Sequence, residues 1–146
     1  MSLRLSTSYF GVKVIEAGEA TQIKYSIYST GELCGESEGK KIYEQSVVIK
    51  TTDGLAVICG CAHPGIVHIV QYVKESFQEC VHLLIGGFHL KDNTDETNLK
   101  IIKDLQGLGV RRIVPMHCTG KRAIETMRKT FGQGFVQAKE GNSIEI

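Results

Sequence analysis

LAVICGCAHPGIVHIVQYVKESF, residues 55–77, changes its periodicity halfway along, and that change decides the fold. Leu55 to Cys59 is a short continuous apolar run of the kind a buried strand carries. Ile66, Ile69, Val70, Val73 and Phe77 then recur at helical spacing, with Pro64 near the helix start, where its missing N–H costs little. A strand running into a helix through Gly60-Cys61-Ala62-His63-Pro64-Gly65 is the first unit of an alternating pattern. Val81 to Ile85 is again a short apolar strand. Leu99, Ile102 and Leu105 form one helical face, opened by Asn93 with Glu96 in a capping arrangement and stopped by Gly107 and Gly109. Arg112 to Met116 is a third strand, and Ala123, Ile124, Met127 and Phe131 mark a last helix that Thr119 could cap. Strands that alternate with helices are usually parallel and joined by right-handed crossovers.

Upstream the pattern differs. Ser46 to Lys50 and Leu55 to Cys59 flank Thr51-Thr52-Asp53-Gly54, and an Asp-Gly turn between such runs signals a β-hairpin. Thr21 to Ser29 places Ile23, Tyr25 and Ile27 on one face and reads as a half-buried strand. Thr30 to Lys41, rich in Gly and Glu, reads as an exposed loop or wide turn. Phe135 to Ala138 and Ser143 to Ile146 read as closing strands. The expected fold is therefore α/β, a mixed sheet with helices on one face, whose other face needs a second layer that this chain lacks.

Bulk properties exclude several functions. The 146 residues fit one domain or a large part of one, and a chain of this size can bury roughly two thirds of its unfolded surface. Seventeen basic residues against 16 acidic give a formal net charge of +1, with no reason to expect nucleic acid as a partner. No apolar run approaches the roughly 20 residues of a membrane span, and Met1 to Phe10 does not read as a secretory signal. Five cysteines, an odd and irregularly spaced set, argue against a disulfide framework and for a cytoplasmic, reduced setting.

Three loops share one placement. Gly60–Gly65, Gly86-Gly87-Phe88-His89-Leu90 and His117-Cys118-Thr119-Gly120 each follow one of the strands, and each carries a histidine and a glycine. If those strands are parallel, all three loops emerge at their carboxyl ends, where open α/β sheets bind ligands. Three imidazoles at one edge suggest a zinc-like site, or a base with an electrophilic helper. His68 and His82 fall elsewhere, on a solvated helix face and at a strand start. Cys61 could ligate a soft metal; Cys118, in the same position class, reads as a packing residue. Backbone N–H groups at Thr119 and Gly120 could hold an anion such as phosphate, or Thr119 could be an ordinary cap. Glu44 could reach the same site, which spacing alone does not show.

The loops GCAHPGI at 60–66, GGFHL at 86–90 and HCTG at 117–120, together with YSTGEL at 28–33 and YEQSVVIKTTDGL at 43–55, resemble a branch of the metallo-β-lactamase superfamily that includes an archaeal synthase of a pterin precursor. The resemblance implies the C-terminal half of an αββα sandwich over residues 1–146, with metals at one edge of two sheets. It implies a metal-dependent hydrolase in which a metal-activated water attacks a phosphate- or ester-type small-molecule substrate. It makes His63 and His117 the ligand candidates, with Cys61 where many members carry a bridging Asp, and gives His89 a substrate-contacting or proton-transfer role. The metal would be divalent, zinc first, with iron, manganese or magnesium open. The early HxHxDH ligand motif of that superfamily occurs nowhere in this sequence. A zinc site normally takes three or four protein ligands, so the chain is expected to need its missing N-terminal half or to dimerise over its exposed sheet. The rival readings are a non-catalytic remnant acting as a binding or dimerisation module, and a redox protein using Cys61 and Cys118.

Overall fold

A computed structural model describes residues 15–141 and 143–146, so the expectation for Met1 to Phe10 lies outside the described residues. Eight strands and three α-helices follow in order: β1 (Thr21–Lys24), β2 (Ile27–Ser29), β3 (Leu33–Ser37), β4 (Lys40–Glu44), β5 (Val47–Thr51), β6 (Gly54–Cys59), α1 (Ile66–Phe77), β7 (Val81–Gly86), α2 (Asp95–Gly107), β8 (Arg112–Pro115) and α3 (Lys121–Phe131). Six strands form one sheet in the order β1-β2-β5-β6-β7-β8, and β3 with β4 forms a separate two-stranded sheet. Pairing is antiparallel from β1 through β6 and parallel for β6–β7 and β7–β8. This is the mixed α/β sheet that the sequence pattern implies.

The register fixes the two faces. Tyr28, Val48, Val57, Leu84 and Ile113 stand in one row across the sheet. Together with Leu55 they share one buried cluster with Ile66, Ile69, Val70 and Val73 of α1, Ile102 and Leu105 of α2, and Ala123 and Met127 of α3. All three helices therefore lie on one face, each burying the stripe that its 3.6-residue period places inward. Ala56, Leu83 and Val114 point the other way. That face is not wholly bare: Val136, Ala138 and Ile144 fold across it, while Ile27 and Ile58 remain 37% exposed.

Several expectations need correction. Thr21 to Ser29 is two strands around a turn at Tyr25-Ser26, and Ile23 (62% exposed) and Tyr25 (81%) bury nothing. The supposed loop at 30–41 holds β3, a turn at Glu38 and Gly39, both at positive φ, and the start of β4, so it is most of a hairpin. A two-residue turn with two positive φ values has the twist that suits a hairpin. Helix α2 is capped by Thr94, whose hydroxyl accepts from the Thr97 N–H, not by Asn93 and Glu96. Leu99 is exposed and Asn98 is buried in its place. Gly120, not Thr119, occupies the N-cap of α3. Phe135 to Ala138 makes a single parallel bridge, Phe135 to Ile113, and Ser143 to Ile146 forms no strand.

Candidate metal centre

Parallel pairing of β6, β7 and β8 sends their three following loops to one sheet edge. Gly87 N–H donates to Gly60 O at 2.9 Å, and Met116 N–H donates to Gly86 O at 2.8 Å, so the loops are stitched to one another beyond the strands. The consequence is convergence. Cys61 Sγ lies 3.2 Å from His117 Nε2, and the His63 and His89 rings stand 4.5 Å apart, tilted by 49°. His63, His89 and His117 thus gather at one place, whereas His68 is exposed on α1 and His82 lies near the start of β7.

Two donor groups share Cys61. In one, ligand atoms of Cys61, His117 and Cys118 lie within 4.8 Å of one another; in the other, those of Glu44, Cys61 and His63 do. Sulfur, imidazole and carboxylate are the donor set of zinc or iron rather than of magnesium or calcium. Three donors with room for a further ligand is the pattern of a catalytic zinc site. The residues therefore fit a thiophilic divalent cation, and the first group does so without His63. Cys118, read from the sequence as packing, stands with the donors. Glu44 falls in the second group by way of His63, whose ring and backbone N–H engage its two oxygens, a contact that sequence spacing does not show.

The surroundings hold these groups in unusual conformations. Ala62 (φ 58°) and His89 (φ 50°) adopt left-handed backbone, which costs a non-glycine residue of order 1 kcal/mol or more and is concentrated at functional sites. His89 remains exposed at the rim. Beside it and His63 opens a mostly apolar cleft of about 220 Å³, with Ile66, Val67, Phe88 and Leu90 among its walls. Thr119 is fully buried and its hydroxyl accepts from the Phe88 N–H at 3.2 Å, tying the third loop to the second. Gly120 caps α3 with no side-chain hydrogen bond there. Burial raises the Cys61 thiol above its ordinary value, and neighbouring Cys118 and Glu44 push the same way. Burial drives the Cys59 thiol further, up to about 12. All five cysteines are free.

Over the part this chain carries, the fold is the metallo-β-lactamase fold. A crystal structure described as a metal-dependent hydrolase of the β-lactamase superfamily superposes with a TM-score of 0.78 at 31% identity, covering 91% of this chain and 57% of that one. Among curated relatives, the chain is 39% identical over 104 residues to the 7,8-dihydropterin-6-methyl-4-(β-D-ribofuranosyl)-aminobenzene-5'-phosphate synthase of Methanocaldococcus jannaschii, covering 70% of this chain and 35% of the synthase. An uncharacterized protein of the same organism is 32% identical over 90 residues, covering 62% of this chain and 33% of its own length. The chain thus spans about a third of the length of these curated relatives. No family model matches it. Among the described residues, no helix is long and apolar enough to cross a membrane.

Proposed function

We propose that the chain is the C-terminal half of a metal-dependent hydrolase or related transferase of the metallo-β-lactamase superfamily. The observation that carries this reading is the 3.2 Å approach of Cys61 Sγ to His117 Nε2 at the shared edge of three parallel-strand loops. His117, Cys61 and Cys118 would hold a divalent cation, zinc first, and His63 would hold or flank it. Such a cation, when bound, supplies Lewis acidity and a water whose pKa is lowered toward neutrality. His89, exposed beside the cleft, would contact the substrate and steady the leaving group or developing oxyanion. Gly120 opens α3, whose first free N–H groups and helix dipole favour an anionic group, which fits a phosphorylated or ester-type small molecule, whereas the Thr119 N–H is already donated to Met116 O. The exposed Ile27 and Ile58 fit a face that the other half of the sandwich covers; a second copy of the chain is the competing cover.

Elemental analysis of the purified chain tests the reading. Near-stoichiometric zinc, iron or manganese, lost in a His63→Ala His117→Ala double variant, is the expected result. Metal-free protein that takes up none of these ions, and shows no phosphoesterase activity alone or with a superfamily N-terminal half added, would favour a remnant that only binds or dimerises.

A further inference from the structure

We infer that Glu44 is a positioning residue for His63: its carboxylate fixes which ring nitrogen His63 turns toward the site. Oε1 of Glu44 lies 2.5 Å from His63 Nδ1, and Oε2 accepts from the His63 backbone N–H at 2.9 Å. One carboxylate thus grips both the ring and the main chain of a residue 19 positions away. Both oxygens are engaged by His63, which sets Glu44 behind the histidine rather than beside it as another donor. A carboxylate facing Nδ1 stabilises the tautomer with the proton on that nitrogen, so Nε2 is left with its lone pair free.

The rest of the β3–β4 hairpin supports the same assignment. Glu44 is its last residue. On the paired strand, Gly35 packs so closely that a Cβ there would stand 2.4 Å from the His63 carbonyl carbon and from Pro64 N. The hairpin therefore meets the 60–65 loop at two points, main chain against main chain at Gly35 and carboxylate against imidazole at Glu44. Leu33 at its start is the one hairpin residue buried in the main core, while Tyr43 is exposed and the hairpin stands apart from the main sheet. With Leu33 anchored in the core, the Gly35 and Glu44 contacts fix the far side of the hairpin against His63. The value of a presented Nε2 rests on the metallohydrolase reading above; the tautomer itself does not.

Long-range ¹H–¹⁵N correlation NMR of the metal-stripped, ¹⁵N-labelled chain reads the tautomer directly, at an alkaline pH where free imidazole is neutral. The expected spectrum has His63 protonated on Nδ1 in the wild type. Glu44→Ala is expected to return it to the Nε2–H form that free imidazole prefers, with exposed His68 unchanged as the internal reference. Glu44→Gln, which keeps an acceptor of the same shape, is expected to restore the Nδ1–H form with its proton resonance moved upfield, because the charge is gone. A wild-type His63 protonated on Nε2 overturns the inference. So does a folded Glu44→Ala with the wild-type tautomer, or a Glu44→Gln spectrum superimposable on wild type if the alanine variant does not fold. Metal uptake measured on the same samples separates the two ideas: an Nδ1–H His63 in a chain that binds no metal removes the metallohydrolase reading and leaves Glu44 in its place.

Discussion

Gly87 backs directly onto the ring of His117: a Cβ added to it would stand 2.5 Å from Cε1 and 2.6 Å from Nε2, with Cys118 Sγ also at 2.6 Å. No real Cβ tolerates such contacts, so the second loop can pass the third only as glycine. Gly87→Ala must push His117 or Cys118 away from Cys61. Displacing groups that orient metal donors typically costs 10–100-fold in affinity, and a loss of roughly that size in zinc affinity, by competition with a chromogenic chelator, is expected. Unchanged affinity in a folded Gly87→Ala protein would show that His117 and Cys118 do not hold the ion.

Cys61 belongs to both donor groups, and each of its neighbours to one. Cys61→Ala is therefore expected to lower zinc content more than either His63→Ala or Cys118→Ala. Ligand binding stabilises the folded state by an amount set by the free-ion concentration relative to Kd, about 2.7 kcal/mol at a hundredfold excess. Adding EDTA is then expected to lower the Tm of the wild type and leave Cys61→Ala nearly unmoved. Equal responses of the two proteins to the chelator would remove Cys61 from the centre.

The parallel half was legible because its signals are local. Leu55–Cys59, Val81–Ile85 and Arg112–Met116 are apolar runs that differ sharply from the helical stripes between them. Their shared direction then dictated that His63, His89 and His117 meet at one edge. What stayed hidden depended on geometry without a local signature. Glu38-Gly39 closes a hairpin with a glutamate at φ 51°, outside the Asn-Gly and Asp-Gly pairs that mark such turns. Its strands face solvent on so many residues that no two-residue hydrophobic alternation survives. Phe135 continued the β-rich pattern of the last strand, yet only one bridge to Ile113 forms before the chain crosses the sheet face. Cys118 and Glu44 join the centre through contacts 57 and 19 residues long in sequence, which periodicity cannot see.

Thr94, immediately before α2, closes the helix start with its side chain, which accepts from the Thr97 N–H, and Asp95 and Glu96 follow in the first turn. Replacing a threonine N-cap by alanine costs about 1 kcal/mol, and for a domain of this size that corresponds to a Tm drop of about 3 °C. Thr94→Ala is expected to show that drop in a thermal melt, and Asn93→Ala almost none. A larger loss for Asn93 would restore the cap to the position first read from the sequence.

Cys59 makes stability depend on alkaline pH. Its thiol sits under the second loop with Sγ 3.4 Å from Ile85 O and 3.6 Å from Gly87 O, and burial, reinforced by the charge of Glu44, pushes it up to about 12 from 9.0. The folded state therefore holds the proton more tightly than the unfolded chain. That stabilisation is complete below the unfolded value and is lost as pH rises through the window from 9.0 to about 12. Its full size is of the order of 4 kcal/mol, at about 1.4 kcal/mol per pKa unit. Cys59→Ala removes the thiol at the cost of a small cavity, so the variant starts below the wild type at neutral pH. Urea titrations at stepped pH are expected to show the gap closing across that window as the wild type loses its advantage. A gap that stays constant from neutral to strongly alkaline pH would mean that the Cys59 thiol ionises as easily in the folded protein as in the unfolded one.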